Sequence, residues 1–242
     1  MILNQLNLAR KYYRDGGMPL ILHTLSQKKK FPKFLIHYQA VDIYYYPNPE
    51  DIRPPKRSPS FQITQAEATD CHELVSLAWT NPSDAIYDRM NKILRSQIVY
   101  KATKNNKIIG FLEVYKNEYS IPFTFGCAYF SLDKNQIFLG YGFVQETYRM
   151  KGVFPHLLSH ISQIFSHNSE FYTYIDIHNT PSILATKRAG FKHFSHLSKL
   201  TLIKKLSYWS CKKKLLGTDC STGSRIAFFS LKSHDLHITP PQ

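Results

Sequence analysis

Two hydrophobic periods alternate along this chain from Phe61 onward. Short apolar runs read as strands, and stretches with an apolar residue every three or four positions read as amphipathic helices. Phe61–Gln65 predicts a strand, and Ala66–Trp79 and Ser83–Arg95 predict two helices broken at Asn81-Pro82. Gln97–Thr103 and Lys107–Tyr115 predict two strands turning at Asn105-Asn106, a pair suited to a tight hairpin. Gln136–Val144 predicts the next strand and Val153–Ser166 the next helix, in which Val153, Phe154, Leu157, Leu158, Ile161, Ile164 and Phe165 share one apolar face. Pro155 is tolerated there because it falls in the first turn. Phe171–Ile177 predicts a strand. Pro181–Ala189 predicts a helix capped by Thr180 and stopped by Gly190, and Phe191–Lys204 a returning strand. Crossovers in such α/β units are right-handed, and ligands bind beyond the C-terminal ends of the strands. The turn at 149–154 and Asn179 both lie at such ends.

The first sixty residues follow no such rhythm. They hold helical stretches around Leu3–Arg14 and Pro19–Ser26, the basic run Lys28–Lys30, a β-branched and aromatic run at Phe34–Tyr46, and a proline-rich basic loop at Pro47–Pro59. That loop predicts a boundary. The expected organisation is a basic N-terminal extension at 1–60, a main domain at 61–206, and a C-terminal extension at 207–242 with one candidate strand, Arg225–Leu231.

Composition changes this picture in two ways. A hydrophobic content of 43% with 14% aromatic residues predicts a folded core. A formal net charge of +14 predicts an anionic partner: a phosphorylated cofactor, an acidic substrate, a nucleic acid or an anionic membrane. No apolar run has transmembrane length, and the N-terminus lacks a secretory pattern. Cys71, Cys127, Cys211 and Cys220 are scattered, with no C-x-x-C pair, and read as reduced thiols. A cytoplasmic protein is therefore expected, without a metal site.

The chemistry concentrates between Gly140 and Phe154. Here an apolar strand passes through a short polar turn into the first turn of a helix, where unpaired N–H groups and the positive dipole end converge. Such a point suits a phosphate or pyrophosphate. Arg149 and Lys151 add charge, and Gly152 removes a side chain where a ligand approaches. In Gln136–Val144, strict alternation puts Phe138, Gly140, Gly142 and Val144 on one face. The two glycines would make a trough in which an extended molecule could pair with the backbone, or would admit tight packing. A long, thin ligand with a phosphate at one end fits the pantetheine arm and pyrophosphate of coenzyme A.

Arg149-Met-Lys-Gly-Val-Phe154 resembles the acetyl-CoA signature of the GNAT N-acetyltransferases, and Asn179-Thr-Pro-Ser-Ile-Leu-Ala-Thr-Lys-Arg-Ala-Gly-Phe191 resembles the second hallmark of that family. The resemblance covers roughly Phe61–Lys205. It implies a central mixed, mostly antiparallel twisted sheet flanked by helices, and an acyl-CoA-dependent enzyme using acetyl-CoA or another acyl-CoA. By that resemblance the amides of Arg149, Met150, Lys151, Gly152, Val153 and Phe154 hold the pyrophosphate. The backbone of Gly142, Phe143 and Val144 pairs with pantetheine and polarises the acyl carbonyl, and Asn179 and Ser182 touch the far side of the arm. The acceptor would sit near Trp79, Asn81–Arg89 and Tyr115–Phe125.

Two positions depart from the pattern. Phe154 replaces a small residue, which leaves the backbone amides in place. Thr186 stands where many relatives carry a tyrosine acid, so the proton donor is open, with Tyr148 and Tyr174 as candidates. Direct attack also needs a base, because an alkyl amine is mostly protonated near pH 7. Glu113, in an apolar strand, is the candidate, against the plainer reading that it points to solvent. Glu146 reads as a loop residue. His156 and His160 have zinc-compatible spacing but lack an intervening catalytic glutamate, and Asp176 with His178 reads as structural hydrogen bonding before an acid/base pair.

The expectation is an N-acetyltransferase acting on a small-molecule amine, with a hint of an acidic acceptor in the charge. The alternative is a basic nucleic-acid- or anionic-membrane-binding protein with a degenerate GNAT fold, using the lysine clusters of residues 1–60 and Lys212–Lys214.

Overall fold

The computed structural model describes residues 36–53, 55, 59–123, 126–165, 169–202, 206–213, 226–232 and 235–239. The helices expected within residues 3–26 and the run Lys28–Lys30 lie outside them.

Twelve strands form two sheets among the described residues. They are β1 (Ile36–Tyr46), β2 (Gln62–Gln65), β3 (Ile98–Lys104), β4 (Lys107–Tyr115), β5 (Glu118–Phe123), β6 (Gly126–Ser131), β7 (Gln136–Val144), β8 (Glu170–Asp176), β9 (Lys192–Leu202), β10 (Leu206–Lys213), β11 (Ile226–Lys232) and β12 (Asp235–Thr239). The helices are α1 (Cys71–Ala78), α2 (Asp84–Ser96), α3 (Val153–Phe165) and α4 (Thr180–Arg188). The main sheet runs β10-β9-β1-β8-β7-β4-β3-β2, and the smaller runs β12-β11-β6-β5. In the main sheet every pairing is antiparallel except β7 with β8, which are parallel and joined through α3. This is the mixed, mostly antiparallel sheet flanked by helices that the motifs implied.

Local sequence explains most of the elements between 61 and 204. Asn105 and Asn106 take φ of 51° and 58°, the left-handed pair that a two-residue hairpin requires. β4 is buried from Ile108 to Tyr115, as a strand covered on both faces must be. α3 buries Val153, Leu157, Leu158 and Ile161 against the sheet, each worth about 1.5–3 kcal/mol. Its expected stripe is shifted, because Ile164 is 47% exposed while His156, Ser159 and Ser162 are buried.

The expected division at residue 60 does not separate the sheet. β1, drawn from the supposed extension, lies between β8 and β9 and pairs antiparallel with both. Its Ala40, Val41, Ile43 and Tyr44 are buried. Strand pairing is non-local, so a boundary read from a proline-rich loop marks a connection and need not mark a domain. The β5–β6 hairpin was not expected either, since Pro122 argues against a strand unless it lies at an edge, which β5 does.

The two faces of the main sheet have different covers. On one, α3 packs on Ile109, Leu112, Val114, Ile137 and Leu139. On the other, α1 and α2 pack on Val99, Ile108 and Phe111, and the smaller sheet packs through Tyr119, Ile121, Ala128 and Phe130 on Ile43, Phe138 and Tyr172. Glu113 and Tyr115 lie on this second face, between α2 and the smaller sheet.

Candidate functional site

Two strands part company at the centre of the main sheet. β7 pairs with β8 only from Gln136–Leu139 to Glu170–Thr173. Beyond that, 140–144 pair with β4 alone, and their edge toward β8 is open. The split starts at a β-bulge, where Leu112 faces Gly142 and Val114 faces Leu139, so Gly140 and Tyr141 together oppose Glu113.

The bulge corrects the expected trough. Strict alternation would put Gly140 and Gly142 on one face, but the extra residue turns them to opposite faces. A Cβ on Gly140 would lie 2.5 Å from the Tyr115 ring and 3.0 Å from Glu113 Oε2, while one on Gly142 would meet Leu112 Cδ1 at 2.9 Å. Both glycines therefore serve packing within the sheet. The opening is the split between β7 and β8.

The same bulge frees the Tyr141 N–H, which donates to Glu113 Oε2 at 3.2 Å. That oxygen also accepts from the Tyr115 hydroxyl at 2.8 Å and from Arg89 at 3.4 Å. Glu113 is fully buried, and its second oxygen, Oε1, has no hydrogen-bond partner among the described residues. Burial pushes this carboxyl up from the ordinary glutamate range, against the charge of Arg89 and the bonds from Tyr115 and Tyr141. The expectation that Glu113 faces solvent is overturned.

Aromatic residues wall this carboxylate. Tyr119 from β5 meets Tyr115 edge-on at 4.4 Å and stacks on Phe138 at 4.2 Å. Trp79 stacks on Tyr141 at 5.1 Å. Tyr174, the first residue of β8 past the last β7 pair, packs against the same cluster. Burial, chiefly, raises its phenol, so it keeps its proton. The Tyr141 hydroxyl is raised by burial, then by Glu113 and Tyr174, and drawn back by Arg89 and Arg149. The Trp79, Arg89 and Tyr115 regions named from sequence thus converge on Glu113. The roles of Tyr119 and Tyr141 were not foreseen, although i, i+2 spacing already put Tyr115 beside Glu113.

Where the split opens toward α3, the chain turns through Arg149–Gly152. Met150 and Gly152 have φ of 61° and 81°. The N–H groups of Met150, Gly152, Val153 and Phe154 make no hydrogen bond among the described residues, as the first turn of a helix leaves its own members free. Arg149 Nε is held by the Val144 carbonyl at 3.2 Å, and its guanidinium lies 5.9 Å over the Phe143 ring. Lys151 and Lys104 flank the Tyr148 ring at 5.2 and 5.8 Å. Four free amides with three cations beside them, in the turn that follows an open strand edge, fit a diphosphate on an extended arm.

Other expected residues have different employment. Asn179 Oδ1 caps α4 through the Ser182 N–H at 3.2 Å, so these two groups engage each other. Thr186 is buried. Asp176 accepts from the His178 backbone N–H at 2.8 Å, a local turn. His156 packs on Phe61 and His160 on Tyr100. Glu146 is exposed beside Arg149.

A second carboxylate cluster lies on the opposite face of the main sheet. Asp42 Oδ1 contacts His196 Nδ1 at 2.9 Å and His193 Nε2 at 3.4 Å, across the β1–β9 pair. Burial would raise Asp42, but hydrogen bonds and charge from the two histidines hold it well below the usual carboxylate range.

No protein-family model matches the chain, and no curated protein matches it. Solved structures do share its fold. A conserved protein of unknown function from Staphylococcus epidermidis aligns with a TM-score of 0.52 at 10% identity, over 75% of this chain and 65% of its own. A Drosophila protein aligns with a TM-score of 0.51 at 16% identity, over 69% and 52%. A GNAT-family acetyltransferase from Colwellia psychrerythraea aligns at 0.49 and 11% identity, over 69% and 56%. The chain thus spans less than two-thirds of the length of each, and the likeness is one of fold. No helix among the described residues is long and apolar enough to cross a membrane.

Proposed function

We propose that this protein is an acyl-CoA-dependent N-acyltransferase, acting on a small-molecule amine with acetyl-CoA as the simplest donor. The observation that carries the reading is the split between β7 and β8. It leads from the free amides of Met150, Gly152, Val153 and Phe154 to a buried carboxylate with an oxygen unused among the described residues. The resemblance of Arg149–Phe154 and Asn179–Phe191 to the GNAT motifs supports it independently.

In this reading the amides of Met150, Gly152, Val153 and Phe154, with Arg149 and Lys151, hold the diphosphate. The open edge of Gly142, Phe143 and Val144 pairs with the pantetheine arm. Backbone donors aimed at a developing oxyanion are worth roughly 3–4 kcal/mol in acyl transfer. Asn179 and Ser182 border the arm through the α4 cap. Glu113 Oε1 accepts the amine proton, directly or through one water, and its raised affinity for protons suits a base. The amine nitrogen bonds to the carbonyl carbon, the carbon–sulfur bond breaks, and the thiolate takes a proton. Tyr174, protonated at the apex of the split and on the face of Glu113, is the donor this geometry favours over Tyr148.

Calorimetric titration with acetyl-CoA tests the first step. Saturable binding, weakened at least tenfold by Gly152→Glu, is the expected result. No binding at millimolar acetyl-CoA would remove the reading.

A further inference from the structure

The cluster around Glu113 has one member whose donors are mostly uncommitted. A guanidinium carries five N–H groups. Arg89 gives one nitrogen to Glu113 Oε2, and among the described residues it has no other hydrogen-bond or ion-pair partner. Its side chain is 43% exposed, while the carboxylate it touches is wholly buried. One end of the guanidinium is therefore anchored, and the remaining donors are turned to whatever enters beside α2.

The second observation is independent of the first. Glu113 Oε1 is a wholly buried acceptor with no donor among the described residues. Native proteins rarely leave such an atom unmatched, because an unsatisfied buried polar group costs about 1–3 kcal/mol. One unmatched acceptor and a set of unmatched donors thus meet on a single carboxylate.

Building on the acyl-transfer reading, we infer that the acceptor is an amine that also carries an anionic group, a carboxylate or a phosphate, which Arg89 binds. The amine and the anion are a few bonds apart, since Arg89 and Oε1 are joined through one carboxyl group. The charges also select against alternatives. A lone buried carboxylate would draw any cation, including polyamines, whereas a guanidinium beside it repels a bare polycation and rewards a molecule bearing both signs. Arg89 is then a specificity-determining residue.

Matched pairs of acceptors test this. Wild-type protein with acetyl-CoA is assayed for thiol release with phenylalanine against phenethylamine, and with glucosamine 6-phosphate against glucosamine. The same four amines are run in thermal-shift titrations, which need no turnover. The expected result is a preference of about 30- to 100-fold in kcat/KM for the charged member of one pair, which tells carboxylate from phosphate. Arg89→Met should bring the kcat/KM ratio within that pair close to one, through a raised KM for the charged member, while Arg89→Lys should keep part of the preference. A residue that merely props Glu113 would slow both members alike, and that outcome overturns the inference. So does the absence of preference in both pairs, by turnover and by thermal shift. If acetyl-CoA still binds in that case, the acyl-transfer reading stands. If it does not, both fall.

Discussion

Two carboxylates sit in the same sheet and are treated in opposite ways. Asp42 spends one oxygen on two histidines, and its proton affinity falls. Among the described residues Glu113 has three donors on one oxygen and none on the other, and its proton affinity rises despite an adjacent arginine. The difference is burial. Asp42 keeps 21% of its side chain in solvent, so partners outweigh desolvation, whereas Glu113 keeps none. A carboxylate saturated by partners at partial exposure stabilises a fold. One left half-satisfied in the interior costs stability when ionised and is suited to receiving a proton.

Breaking this contrast begins with Glu113→Gln. The amide can keep its oxygen under Tyr115, Tyr141 and Arg89 while its nitrogen takes the empty side. Acyl transfer should fall about 10²- to 10⁴-fold by thiol release, with acetyl-CoA affinity retained in calorimetry. Equal losses in turnover and in melting temperature would mean that Glu113 is only a structural pin. Next in size, Gly152→Glu should weaken acetyl-CoA at least tenfold, and Gly152→Ala, strained at φ of 81° but uncharged, should weaken it less. Asp42→Asn should do the reverse of Glu113→Gln, costing about 1–2 kcal/mol in urea unfolding with kcat unchanged.

The smallest effects are in pH. Asp42 has a lowered folded value, so its contribution is complete above the unfolded carboxylate range, about 3.9, and is lost as pH falls below it. Wild-type stability should drop there, and Asp42→Asn should flatten the drop. Glu113 has a raised folded value, so ionising it costs stability as pH climbs from its unfolded value, about 4.3, through the folded one. Glu113→Gln should remove that loss. It should also abolish an acid limb of kcat/KM lying above the ordinary glutamate range.

Much of this was legible in the chain, and the rest was hidden for definite reasons. The Asn105-Asn106 hairpin and the turn at 149–152 are local, and a few residues specify each one, whereas the α4 cap falls on Asn179 and not on the expected Thr180. The β7 bulge was not visible, because a single inserted residue leaves the apolar run of Gln136–Val144 unchanged while reversing the faces beyond it. The burial of Glu113 was likewise hidden, because it depends on Arg89, twenty-four positions earlier, and on an amide freed by that bulge. β1 was misplaced because its partners lie more than a hundred positions away, at 170–176 and 192–202.

The placement of β1 has a consequence for synthesis. This tyrosine-rich strand leaves the ribosome before either of its neighbours exists, and at ordinary elongation rates it waits on the order of ten seconds for them. Until then both of its hydrogen-bonding edges are bare, open to pairing with another nascent copy. Chaperone demand during translation should therefore centre on β1, and fall once β9 has closed over it.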